Sequence, residues 1–75
     1  MSVVVRLHGY LKDMVGVETL EVQPGQTVSQ LQAALMVSRE LALIPVVNQQ
    51  IVEADYVLQN GDRFELIPPI DGGAT

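Results

Sequence analysis

One helix signal stands in this chain, with alternating apolar residues on either side of it. Thr27 and Gln30 are in the capping-box relation, where a hydroxyl and a carboxamide each bind an amide left orphaned at a helix start. The spacing predicts a helix from Thr27 to about Ser38. Val28, Leu31, Ala34, Leu35 and Val37 or Met36 fall on its buried stripe, with Gln30, Gln32 and Ser38 largely outside it. Pro24-Gly25 forces a turn just ahead. An apolar helical face is core material, so no ligand is assigned to it.

Elsewhere the period is two. Ser2 to Leu7 sets Val3, Val5 and Leu7 on one face and Val4 and Arg6 on the other, and Glu18 to Val22 alternates again, so the pair reads as a hairpin. Between them, His8 to Gly16 is expected as a connection. Its Tyr10, Leu11 and Met14 are apolar enough to pack back through an irregular turn of helix. Leu43 to Asn48 is too short for a helix and β-branched at Val46 and Val47, so it reads as a strand. Asn48-Gln49-Gln50 is a turn, Ile51-Val52 a short return strand, and Tyr56 to Leu58 a stub. After the turn signal Asn60-Gly61-Asp62, Arg63 to Ile67 alternates, with Phe64 and Leu66 or their neighbours facing the core. The strand stops at Pro68, which has no amide for a ladder.

A lone helix after a hairpin covers one face of a mixed sheet only if the later strands add beside that hairpin. The expected fold is therefore α+β, a β-grasp roll of four to five strands with one main helix across it. The final strand is expected at the centre, beside the first. A domain over residues 1–70 and a flexible tail over 71–75 follow from this reading.

The chain has 75 residues, and a domain of this size buries only about 60% of its unfolded surface, leaving no room for a deep enzymatic pocket. We expect a protein without an active site of its own. It has no cysteine and one histidine, which makes a protein-built zinc or other transition-metal site improbable and removes disulfides. No apolar run approaches the ~18 residues of a membrane span and no leader pattern is visible, so a cytoplasmic protein with no membrane partner is the expectation. Nine acidic residues against four basic ones give a net charge of −5. That balance opposes nucleic-acid binding and suits a basic groove on a protein partner, or solubility alone.

Chemistry is concentrated at the end of the sequence, in Pro68-Pro69-Ile70-Asp71-Gly72-Gly73-Ala74-Thr75. Glycines lack a Cβ, so Gly72 and Gly73 can lie flat in a narrow cleft. Fully extended, residues 70–75 would reach roughly 20 Å from the folded body. A frayed terminus is the plain alternative.

Taken in order, Pro24-Gly25-Gln26-Thr27-Val28, Val46-Val47-Asn48 and the run from Asn60 to Gly73 resemble the ubiquitin-like sulfur carriers. They look like the small subunit of molybdopterin synthase (MoaD) and, less closely, the thiamine-pathway carrier ThiS. The resemblance spans nearly the whole chain. It implies that the carboxylate of Gly73 is adenylated by a ubiquitin-activating-like enzyme that consumes ATP, then becomes a thiocarboxylate and donates sulfur to a synthase subunit. It implies no cofactor bound by the carrier. Gly72, Asp71, Ile70, Pro69, Pro68 and Phe64 would form the tail and docking residues. A protein modifier that transfers the same activated Gly73 to a lysine, and a non-covalent β-grasp interaction module, are the alternatives.

Two departures from the family pattern stand out. Ala74 and Thr75 follow the second glycine, so either a peptidase removes them or they disable the carrier. The connection between Ser38 and Pro45 is also shorter than molybdopterin synthase small subunits usually have.

Other residues carry less. Phe64, Leu66, Ile67 and Val47 are candidates for an apolar docking patch or for core. Arg6, Arg39 and Arg63 are expected to pair either with acidic groups on a partner or, as the favoured reading, with nearby Glu21, Glu40 and Glu65 as weak surface ion pairs. His8 as a base, and Glu53 with Asp55 as a carboxylate pair, lack any surrounding cleft in the sequence.

Overall fold

The structure, a computed structural model, describes residues 1–37 and 42–69. Its elements in chain order are β1 (Val3–Leu7), α1 (Leu11–Val15), β2 (Thr19–Val22), α2 (Val28–Ala34), β3 (Ile44–Val47), β4 (Gln50–Ile51) and β5 (Arg63–Ile67). The strands form one mixed sheet in the order β2-β1-β5-β3-β4. β1 pairs antiparallel with β2 and parallel with β5, and β3 pairs antiparallel with both β4 and β5. The expected central final strand is thus observed, as is the α+β roll.

Alternation decides which face is filled. Val3, Val5 and Leu7 of β1 and Phe64 and Leu66 of β5 are buried, and they meet Leu11 of α1 with Val28 and Leu31 of α2 in one core. Phe64 is the largest fully buried side chain, at 1% exposure. Its removal from water contributes about 1.5–3 kcal/mol. On the opposite face the same registers place Val4 and Arg6, Arg63, Glu65 and Ile67, and Ile44 and Val46.

The helix start is built as its sequence demands. The Thr27 side chain accepts from the Gln30 amide at 3.1 Å, and the Gln30 carboxamide accepts from the Thr27 amide at 2.8 Å. The next two orphan amides find tertiary partners: Val28 N–H donates to the Tyr56 carbonyl (3.0 Å) and Ser29 N–H to that of Ala54 (2.9 Å). Residues 54–58 therefore lie along the helix entrance, held by Leu58, which is fully buried. The expected strand stub there is a single bridge between Val57 and Thr27.

The helix stops earlier than its periodicity suggested. Met36 takes φ +62°, its amide donates to Ala33 O at 3.0 Å, and Val37 N–H reaches Gln32 O at 3.2 Å. This is a Schellman closure, normally made with glycine in the left-handed position. It turns Val37 back into the core (4% exposed) and leaves Met36 out, at 89%. Ala34, expected on the buried stripe, is the last residue of the helix and is exposed. Ser38, the expected end, lies outside the described residues.

Candidate functional site: the exit of the carboxyl-terminal segment

The chemistry expected from the sequence follows β5, so the site is defined by how that strand ends. β5 is flanked on both sides, and its ladder to β1 runs from Val4 N–H on Asp62 O (3.1 Å) to His8 N–H on Leu66 O (3.2 Å). Beyond Leu66 the ladder has no donor from Pro68. The ring of Pro68 instead lies against Gly9, whose φ is +59°. Beside this contact His8 Nε2 donates to Glu65 Oε1 at 2.8 Å, the ionised carboxylate being an acceptor only. Pro68 and Pro69 are half-buried where the chain leaves the sheet.

At its other end β5 is set by a polar knot around Asp62, which is 7% exposed. Its carboxylate accepts from Tyr56 Oη (2.8 Å), from the Gln59 amide (2.9 Å) and from Asn48 Nδ2 (3.0 Å). Burial alone would raise this carboxyl, yet the three donors outweigh it and hold Asp62 below the usual carboxylate range. Tyr56 is pushed up, first by its bond to Asp62, then by burial and the neighbouring negative charge. Asn48 completes the knot: its Oδ1 accepts from the Arg63 amide at 3.0 Å, and its own amide donates to Arg63 O at 2.9 Å. Both ends of the strand are thereby fixed, one by hydrogen bonds and the other by packing on glycine.

The face opposite the core carries the surface next to this exit. Ile44 pairs with Ile67 and Val46 with Ile51 across the sheet, giving an apolar strip in which Ile44 is 36% and Ile51 75% exposed. Toward β2 the same face holds an open depression lined by Val4, Arg6, Thr19, Arg63, Phe64 and Glu65. Arg6 is paired there with Glu18 at 3.5 Å, not with the expected Glu21. Both partners are more than half exposed, so this pair contributes little to stability.

Of the residues assigned from sequence, Gly73, Gly72, Asp71 and Ile70 lie outside the described residues, as do Arg39, Glu40 and the extension Ala74-Thr75. Pro68 and Pro69 sit at the exit. Phe64 needs correction: expected among the docking residues, it is 1% exposed, because its position in β5 turns the ring into the core. Leu66 and Val47 are core for the same reason, and only Ile67 of that group is on the open face. Glu53 and Asp55 are exposed residues of a turn. Among the described residues, no three potential metal ligands cluster and no helix is long and apolar enough to cross a membrane. Gly9, Asp62 and Tyr56 were not singled out from sequence as parts of the site. Gly9 lies within the stretch read as a connection, and nothing local relates it to Pro68.

A five-stranded mixed sheet with a capped helix across it and its last strand at the centre defines a ubiquitin-like β-grasp fold. The chain belongs to the ThiS family, whose profile matches residues 5–73. Its fold is similar to that of molybdopterin converting factor subunit 1 from Pyrococcus furiosus, at 21% identity over 93% of this chain and 99% of that one, with a TM-score of 0.77. It is similar also to Haloferax volcanii small archaeal modifier protein 1 (17% identity, 92% and 98% covered, TM-score 0.72). A third likeness is to the Helicobacter pylori complex of subunits 1 and 2 of molybdopterin-converting factor (22% identity, 93% and 96% covered, TM-score 0.63). No curated protein matches the chain in sequence.

Proposed function

We propose that this protein is a sulfur carrier whose working group is the carboxylate of Gly73. The observation that carries the reading is the match of the ThiS family through residue 73, joined to a central strand whose end is braced on both sides. The chain would first lose Ala74-Thr75 to a peptidase, since a carboxylate on Gly73 exists only after that peptide bond is hydrolysed. In a partner's active site the Gly73 carboxylate attacks the α-phosphorus of ATP and pyrophosphate leaves. Hydrosulfide bound in the partner's site then attacks the carbonyl carbon of the acyl-adenylate, a C–S bond forms as the C–O bond to AMP breaks, and AMP leaves behind a thiocarboxylate. Without cysteine the chain has no thiol of its own on which to hold sulfur, so the terminal carbonyl carbon is the carrying atom.

The chain's own contribution is presentation. The apolar strip of Ile44, Val46, Ile51 and Ile67 docks on the adenylating enzyme, and later on the sulfur-accepting synthase subunit, next to the exit of the segment that enters each active site. ATP and catalytic groups belong to the partner. The test is intact-mass measurement after incubation of the Gly73-ending chain with ATP, a sulfur source and the cognate adenylating enzyme. Exchange of one oxygen for sulfur at Gly73 is expected, and none for the Thr75-ending chain. Absence of both adenylate and thiocarboxylate on the shortened chain removes the proposal.

The likeness of fold to a small archaeal modifier protein favours one second reading, in which the same acyl-adenylate is passed to a lysine of a target protein. Conjugates of higher mass that disappear on deletion of Gly72-Gly73 would select that reading.

A further inference from the structure

We infer that Gly9 is a positioning residue for the carboxyl-terminal segment: it forms the seat on which Pro68 rests, and so sets the direction in which the chain leaves the sheet. This rests on the carrier reading for its consequence but not for its geometry. A Cβ built on Gly9 would lie 2.8 Å from Cγ of Pro68 and 3.6 Å from its Cδ. Carbon atoms in good contact stand about 3.5–4.0 Å apart, so any side chain at this position displaces the proline ring. Gly16, Gly25 and Gly61 also have positive φ, yet nothing lies within 4 Å of a Cβ added to them. At those positions glycine serves the backbone angle alone. At Gly9 it serves a close approach as well.

The seat lies where the hydrogen-bond ladder gives out. His8 N–H makes the last bond of the ladder, to Leu66 O, and Pro68 has no amide with which to continue it. On the β1 side, contact between a ring and a bare backbone takes over from there, while β3 still pairs with β5 as far as Ile67. The His8–Glu65 bond at 2.8 Å holds the residue before the seat to the same strand. Glu65 is the carboxylate facing His8, and Arg6 is engaged with Glu18. In a partner's narrow cleft, a change in exit angle at Pro68 alters the point from which the following residues start, and small displacements of a reacting atom weigh heavily on rate.

The experiment uses the Gly73-ending chain carrying Gly9→Ala, Pro68→Ala, both, or Gly25→Ala, the last being a glycine of positive φ with no neighbour within 4 Å of an added Cβ. Residual dipolar couplings of the Cα–Hα bonds of Pro69 and Ile70 are read against those of β5, and kcat/KM for acyl-adenylate formation is followed by pyrophosphate exchange. G9A is expected to leave β5 couplings unchanged, to shift those at 69 and 70, and to lower kcat/KM about tenfold or more. G25A should do neither. In the double variant the atom that the new Cβ would strike is gone, so kcat/KM returns to that of P68A alone. The inference is overturned if G9A behaves as G25A, or if the losses of G9A and P68A simply multiply. Should G9A not fold, P68A decides: unchanged couplings at residues 69 and 70 overturn the seat. Failure of the unaltered chain to form any adenylate would count against the carrier reading, while the couplings would still judge Gly9.

Discussion

Tyr56 Oη donates to Asp62 Oδ2 at 2.8 Å, joining the segment that covers the entrance of α2 to the residue just before β5. Two parts of the fold that share no ladder are tied through one carboxylate. The Asp62 carboxyl lies below its usual range in the folded protein, so its charged form is the favoured one. Its stabilising contribution is complete above the unfolded-state value, about 3.9, and is lost as pH falls through the lower folded value. Tyr56, shifted up, keeps its share below about 10 and loses it as pH rises through the folded value. Thermal melts between pH 2 and 7 are expected to show an acid decline that Asp62→Asn flattens. At pH 7 the same variant should cost about 1–3 kcal/mol, because Asn48, Tyr56 and Gln59 lose an anionic acceptor. An acid decline identical in both proteins would contradict this account.

Met36 offers a gain. It holds φ +62° with its side chain 89% exposed, so it bears the left-handed penalty without compensating packing. Met36→Gly removes a strain of about 1–2 kcal/mol against an unfolded-state entropy cost of about 0.5–1 kcal/mol. A net stabilisation of about 0.5–1 kcal/mol is expected in urea titration. Met36→Ala, which keeps the Cβ, should give none of it.

Loss of the helix cap should be measurable and modest. Thr27→Ala removes the acceptor for Gln30 N–H and is expected to cost about 1 kcal/mol. Because Val28 and Ser29 amides are held by the 54–58 segment, protection against hydrogen exchange should fall at Gln30 first. Uniform loss across α2 would mean that the tertiary bonds do not hold the entrance on their own.

Core and proposed docking face are told apart by two substitutions. Phe64→Ala empties the largest buried side chain and should cost about 3–5 kcal/mol. Ile51→Asp, at 75% exposure, should leave stability within about 0.5 kcal/mol. It should nonetheless weaken binding to the adenylating enzyme or the synthase subunit in titration calorimetry. Full affinity in the Ile51→Asp chain would move the docking surface off this strip.

Much of the fold was legible because its signals are local. The β1–β2 hairpin follows from two alternating runs, and the start of α2 from residues that satisfy each other within one turn. The end of α2 was not legible, since a methionine occupies the left-handed position where glycine would have announced it. Asp62 and Asn48 are 14 residues apart and both read as turn formers, an ordinary use that hides their bond to each other. Phe64 could be read both as core and as docking surface because a strand's period does not say which of its faces is covered. The Gly9–Pro68 contact spans nearly the whole chain, and proximity over such a distance is written in topology alone.

The position of β5 has a bearing on when the molecule becomes usable. It is the seam between the two hairpins, β1–β2 and β3–β4, and among the described strands it is the last to be synthesised. Until residues 63–67 have cleared the ribosome the two halves have no common neighbour. On the proposed carrier reading, whatever follows Ile67 reaches a partner only after the strand that joins the two hairpins has been made, so that a nascent copy still lacking that strand has no end to offer.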